Sequence, residues 1–200
     1  MSWLVGLSEP VALLVGGLAV SLAFGSGCLL GGSPACFAVA AVASFLAVVP
    51  HELAHRNVAR RMGCWSRYVL SPIGLLVTLA TSLPFVPVKF VMPGFTLVSP
   101  PTYDREELRR IDGLVSLAGP LYNIVVSIAS VSVLQLAPGL VGPLLASALY
   151  NVGYVNAWVA LFNLLPVPPL DGSKVLKWKP VVYLVVIAVS ALLYFFYFTW

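Results

Sequence analysis

The chain has 200 residues, of which 60% are hydrophobic and only 9% charged, and its mean hydropathy is +0.99, whereas an ordinary soluble domain is about 25% charged. That composition excludes a soluble globular protein and defines an integral membrane protein embedded in a lipid bilayer. The net charge of +4 comes from eleven Lys and Arg against seven Asp and Glu, but the cations gather at the ends of apolar runs rather than among aromatics on one face, which argues against a nucleic-acid partner.

In chain order, runs long enough to cross about 30 Å of hydrocarbon, some 20 helical residues, occur near 11 to 30, 35 to 61, 113 to 137, 141 to 165 and 180 to 200. No basic residue precedes Arg56, so the first run has no cationic leader and is expected to be a retained helix rather than a cleaved signal. Gly- and Pro-rich stretches, "GSGCLLGGSP", "LAPGLVGP" and "DGSKVLKWKP", punctuate the runs. Cys28 and Cys36 flank the first connection and could form a disulfide if it faces an oxidising compartment, or remain two buried thiols, with Cys64 left over.

Residues 66 to 112 are harder to place. Their first half is apolar but broken by Pro72, Pro84, Pro87 and Pro93, and the stretch from Pro72 to Pro84 would extend only about 17 Å as a helix. Charge parity decides what the segment does. Arg56, Arg60, Arg61 and Arg67 follow the second run, Arg105, Arg109 and Arg110 precede the third, and Lys174, Lys177 and Lys179 separate the last two. Under the positive-inside rule all three clusters share the cytoplasmic side only if residues 68 to 100 enter the membrane and return; a sixth helix over about 72 to 92 is the alternative. The expected fold is therefore an all-α polytopic membrane protein of about five transmembrane helices plus a re-entrant segment, organised as one domain over 1-200 in the cell membrane. Irregular backbone at that depth must be buried in protein or line a wet cavity.

Both histidines of the chain lie in "VVPHELAHRN", residues 48 to 57. Residues at i and i+4 share a helix face, so His51 and His55 can present two imidazoles to one metal ion with Glu52 beside them. This is the His-Glu-x-x-His arrangement of zinc hydrolases, in which the carboxylate is no ligand but accepts a proton from water and passes it to the leaving amine. Placed about 13 Å inside the charged end of its helix, an unpaired Glu52 would cost about 3 kcal/mol or more; an i,i+4 pair with Arg56 would relieve that but would explain neither histidine. Pro50 is expected to bend or open the helix just before the motif, or to be an incidental kink. A hydrolytic zinc site needs a third protein ligand. Glu9 lies before the first helix and Asp104 to Asp112 read as a solvated amphipathic stretch, which leaves Asp171, whose competing role is a turn residue or N-cap in "LDGS".

His51-Glu52-Leu53-Ala54-His55, then "AGPLYN" at 118 to 123, then "NLLPVPPLDG" at 163 to 172 resemble, in order, the three signatures of the site-2 protease family of intramembrane zinc metalloproteases, over roughly residues 35-175. The resemblance implies a three-helix core, one Zn2+ on His51, His55 and Asp171, Glu52 as base, and another protein's transmembrane helix as substrate. It offers Asn163 as a donor to the substrate backbone or developing oxyanion, although a packing hydrogen bond would explain that residue equally well; Asn123 and Gly119 fit helix packing. "SPIGLL", 71 to 76, resembles the start of that family's membrane-inserted segment. No inserted PDZ or appended CBS domain is expected. Two other readings remain: a divalent-metal transporter, and a non-catalytic scaffold with a structural zinc site.

Overall fold

The computed structural model describes residues 6–199. Five helices are long and apolar enough to cross a membrane: α1 (Glu9–Leu30), α2 (Pro34–Arg61), α4 (Arg105–Leu136), α5 (Pro143–Asn163) and α7 (Pro180–Thr199). Between them lie β1 (Trp65–Leu70), α3 (Pro72–Thr81), β2 (Gly94–Ser99) and α6 (Asp171–Trp178). The polytopic helical fold is as expected, with one departure: the segment after α2 contains a two-stranded antiparallel sheet. The polar stretch from Arg105 is solvated and amphipathic as expected, with Arg105, Arg109 and Arg110 exposed and Ile111 buried, and it forms the first turns of α4. Asp104 caps those turns, its carboxylate accepting the Glu107 amide at 2.8 Å, which satisfies one of the orphan donors at a helix start.

The sheet settles the parity question. Trp65 pairs with Ser99 and Leu70 with Gly94, so the chain leaves α2 and enters α4 at the same end of the bundle. Within the excursion the longest helix, α3, has ten residues, about 15 Å at 1.5 Å per residue, too short to span. The sixth-helix alternative is therefore excluded among the described residues. Since α4 and α5 then cross and return, α6 and the start of α7 share that end, which collects all three basic clusters.

The centre of the bundle is α2, packed against α1, α4 and α5. Small residues allow the close approach expected of membrane helices: a Cβ on Gly17 of α1 would lie 2.6 Å from the Phe45 ring of α2. At the charged end, Glu9, the first residue of α1, accepts from Arg56 at 3.2 Å and from the Tyr68 amide of β1 at 3.1 Å, fastening α1, α2 and the sheet together. Arg56 is thus committed to Glu9 rather than to Glu52. At the opposite end Cys28 and Cys36 form a disulfide across the α1–α2 turn.

Pro50 lies within continuous α2 and supplies no N–H to the carbonyl of Leu46. The Tyr122 hydroxyl of α4 takes that carbonyl at 3.0 Å, and the Asn123 amide donates to Ala47 O at 2.8 Å. A neighbouring helix thus supplies the donor that the proline withholds, as an apolar environment demands.

Candidate metal centre

The turn of α2 after Pro50 carries His51 and His55, which are 3% and 5% exposed. Their Nε2 atoms lie 2.9 Å apart, and Oδ2 of Asp171 sits 3.4 Å from the first and 3.2 Å from the second. Asp171 is neither a turn residue nor an N-cap: Leu170 is the cap, and Asp171 opens α6 with its side chain on the histidines. These three form the group among the described residues that could hold a metal ion.

The hydrogen bonds behind the rings fix which atoms are available. Nδ1 of His55 lies 2.6 Å from the carbonyl oxygen of Val115, a partner that can only accept, so Nδ1 carries the proton. Nδ1 of His51 lies 2.5 Å from Oδ1 of Asn123. The orientation of that amide is set by its other end, because Nδ2 donates to Ala47 O at 2.8 Å and to Asn156 Oδ1 at 2.7 Å. In its neutral form, the one that binds a metal, each imidazole therefore turns a lone pair inward from Nε2. Three electron-rich atoms thus converge with no donor between them; a proton could bridge one contact, whereas a cation satisfies all three.

The donor set fits zinc. Metal–ligand distances of about 2.0–2.2 Å in tetrahedral geometry place neighbouring donor atoms about 3.3–3.6 Å apart, and the two contacts to Asp171 agree, with the pair of nitrogens a few tenths closer. Gly119 of α4 keeps the place open: a Cβ there would lie 2.5 Å from Nε2 of His55 and 2.6 Å from Nε2 of His51. Gly119 and Asn123 thus act at the site, not only in helix packing as their sequence context suggests.

Glu52 is on the same turn and lines the same cavity, about 760 Å³ in volume. Its Oε2 accepts from the Thr96 hydroxyl of β2 at 2.9 Å. Asn163, near the end of α5, also faces the cavity; its Nδ2 donates to Val159 O of its own helix at 2.9 Å. The wall runs from apolar Val48, Val91 and Val159, past the three convergent residues and the β2 segment, to Arg109 and Lys174 at the charged end.

The chain is 34% identical over 155 residues to "Putative zinc metalloprotease MJ0611" of Methanocaldococcus jannaschii, covering 75% of each protein. It is 31% identical over 144 residues to "Putative zinc metalloprotease YwhC" of Bacillus subtilis, covering 64% of this chain and 62% of that one. Neither a family model nor a solved structure matches the chain. With five spanning helices and a His-His-Asp cluster suited to zinc, a chain so similar over three quarters of a zinc metalloprotease belongs to that metalloprotease family.

Proposed function

We propose that the protein is an intramembrane zinc endopeptidase of the site-2 protease type, cleaving peptide bonds within or near the transmembrane helices of other proteins in regulated intramembrane proteolysis. The observation that carries this reading is the convergence of two buried imidazole lone pairs and a carboxylate on one point of a cavity that reaches from the apolar core of the bundle to its charged end. His51, His55 and Asp171 hold the ion, one per chain. Zinc on those atoms would supply Lewis acidity, polarising the scissile carbonyl and making water a better nucleophile.

Glu52 is the general base: its carboxylate accepts the proton of the attacking water and delivers it to the departing amine. The Thr96 hydroxyl holds one of its oxygens, fixing the side chain beside the ligand pair. Asn163 donates one amide hydrogen to Val159 and keeps the other for the substrate backbone or the oxyanion that develops on the scissile carbonyl. A helical substrate must unwind, because its carbonyls are otherwise occupied by internal hydrogen bonds. The outer edge of β2 has no ladder partner among the described residues and borders the cavity, so an unwound segment can add to it as a third strand. The charged end faces the cytoplasm of the cell, which puts the Cys28–Cys36 disulfide on the other side of the membrane, where disulfides persist.

The test is cleavage of unrelated single-span helices by the purified, reconstituted protein. Cleavage that a chelator stops and zinc restores is the expected result. Metal flux without cleavage would establish a transporter, and a protein that retains zinc but neither cleaves nor transports would establish a structural site.

A further inference from the structure

The charged end of the cavity carries cations that the chemistry at His51, His55 and Asp171 does not use. Arg105 and Arg109, at i and i+4, occupy one face of α4; Lys174 and Lys177, at i and i+3, occupy one face of α6; all four line the cavity. The two helices pack directly, with Trp178 of α6 seated over Gly113 of α4. Three other cations at this end are ion-paired: Arg56 and Arg60 with Glu9 at 3.2 and 4.0 Å, and Arg110 with Glu107 at 3.3 Å. None of the four lining cations forms an ion pair among the described residues. Asp112 is the one carboxylate lining this end, which leaves a surplus of positive charge on a wall whose four cations are exposed to incoming ligands. Marking the cytoplasmic side requires cations on these loops but does not require them to face one cavity. A cleft lined by one sign of charge concentrates ligands of the opposite sign.

We propose that this basic rim is a subsite for acidic side chains of the substrate, on the aqueous side of the scissile bond; the assignment rests on the proteolytic reading of the same cavity. An unwound segment lying along β2 and crossing the metal centre continues between α4 and α6, where Asp or Glu side chains meet Arg105, Arg109, Lys174 and Lys177. A peptide fits better than an anionic lipid headgroup, because these cations line a cavity continuous with the metal ligands and the β2 segment.

Full-length protein in bilayers of neutral phosphatidylcholine is given single-span substrates that differ only in two residues on the aqueous side of the cleavage point: Glu-Glu, Gln-Gln or Lys-Lys. The KM for Glu-Glu is expected to be roughly two- to tenfold below that for Gln-Gln, the scale of two exposed ion pairs, with similar kcat and a difference that shrinks as salt rises. In the double variants K174Q/K177Q and R105Q/R109Q the ratio of the two KM values moves to one. In R61Q, whose cation is exposed outside the cavity, the ratio stays as in the unmodified protein. Equal KM for all three substrates, or a preference that survives both double variants, overturns the subsite. A rate that rises only when anionic lipid is added, and loses that rise in the same variants, also overturns it and assigns the rim to lipid. If no substrate is cleaved with or without zinc, the proteolytic reading has failed; direct binding of labelled Glu-Glu and Gln-Gln peptides, read by fluorescence anisotropy, then decides the subsite separately, equal affinity overturning it.

Discussion

Gly119→Ala adds a single methyl group at the point where three helices meet the metal centre. That carbon would lie 2.5 Å from Nε2 of His55 and 2.6 Å from Cε1 and Nε2 of His51, against the roughly 3.5 Å of an ordinary contact. Relief requires the rings or the α4 backbone to move by about 1 Å. The rings have little freedom, because each is held from behind at Nδ1, by Asn123 and by Val115 O. A metal site tolerates errors of only about 0.2 Å in ligand distance, so the displacement exceeds the tolerance several-fold and also fills space an ion would need. The variant is expected to lose its bound zinc and, with it, proteolysis, while remaining a folded membrane protein, since alanine is a good helix former. Metal analysis of purified protein reads the first effect, and circular dichroism with size-exclusion chromatography in detergent checks the fold. A folded Gly119→Ala protein with a full equivalent of zinc would refute the placement of the ion between these rings.

Asn123→Ala removes the acceptor that orients His51 and should weaken zinc about 10- to 100-fold, the usual cost of losing a partner behind a metal-bound histidine; competition with a chromogenic chelator measures it, and unchanged affinity would break the link. Glu52→Gln should keep its zinc yet cleave at least about 100-fold more slowly, the scale of a general base; loss of zinc instead would make Glu52 a ligand and reopen the role of Asp171. Asp171→Ala should shed zinc as readily as His55→Ala, and metal retained at full stoichiometry would remove it from the ligand set. For topology, single cysteines replacing Tyr103 and Lys174 in a Cys64→Ser background should react with an impermeant thiol reagent from the cytoplasmic side and one replacing Gly32 only from the opposite side; reaction of position 103 from the side of Gly32 would contradict the re-entrant path.

The parts of this architecture written in local sequence were legible in it. Five apolar runs carry their own length signal, and His51, Glu52 and His55 are brought together by helical periodicity alone. Asp171 emerged by elimination from a short list of acids, and the structure brings it onto the histidines. What escaped depends on partners far apart in the chain. Thr96 gives no sign of a role until β2 pairs with β1 and sets its hydroxyl against Glu52, 44 positions away. Asn123 and Asn156 could be flagged as costly amides in apolar helices, but the relay from Val152 O through both amides to His51 exists only once α2, α4 and α5 are packed. Gly119 fell to a similar difficulty, because a missing side chain reveals its purpose only when its neighbours are known. The sheet was missed because prolines dominate the segment around it and its two six-residue strands, WSRYVL and GFTLVS, do not alternate strictly between apolar and polar residues.

The carbonyl of Leu46, deprived of its usual donor by Pro50 and satisfied by Tyr122, also bears on the order in which the molecule is assembled. The α2 segment leaves the ribosome before α4 and α6, so on first entering the lipid it holds an unpaired carbonyl and two imidazoles with nothing to orient them. Only the arrival of α4 supplies Tyr122 to the carbonyl, Asn123 to His51 and Val115 O to His55, and only α6, later still, brings the carboxylate. Each component is uncomfortable in the bilayer alone and comfortable in the finished bundle, so maturation is drawn toward the complete structure. A nascent chain interrupted before α6 has the histidines but not the carboxylate, so the three-residue cluster cannot assemble until α6 has been made.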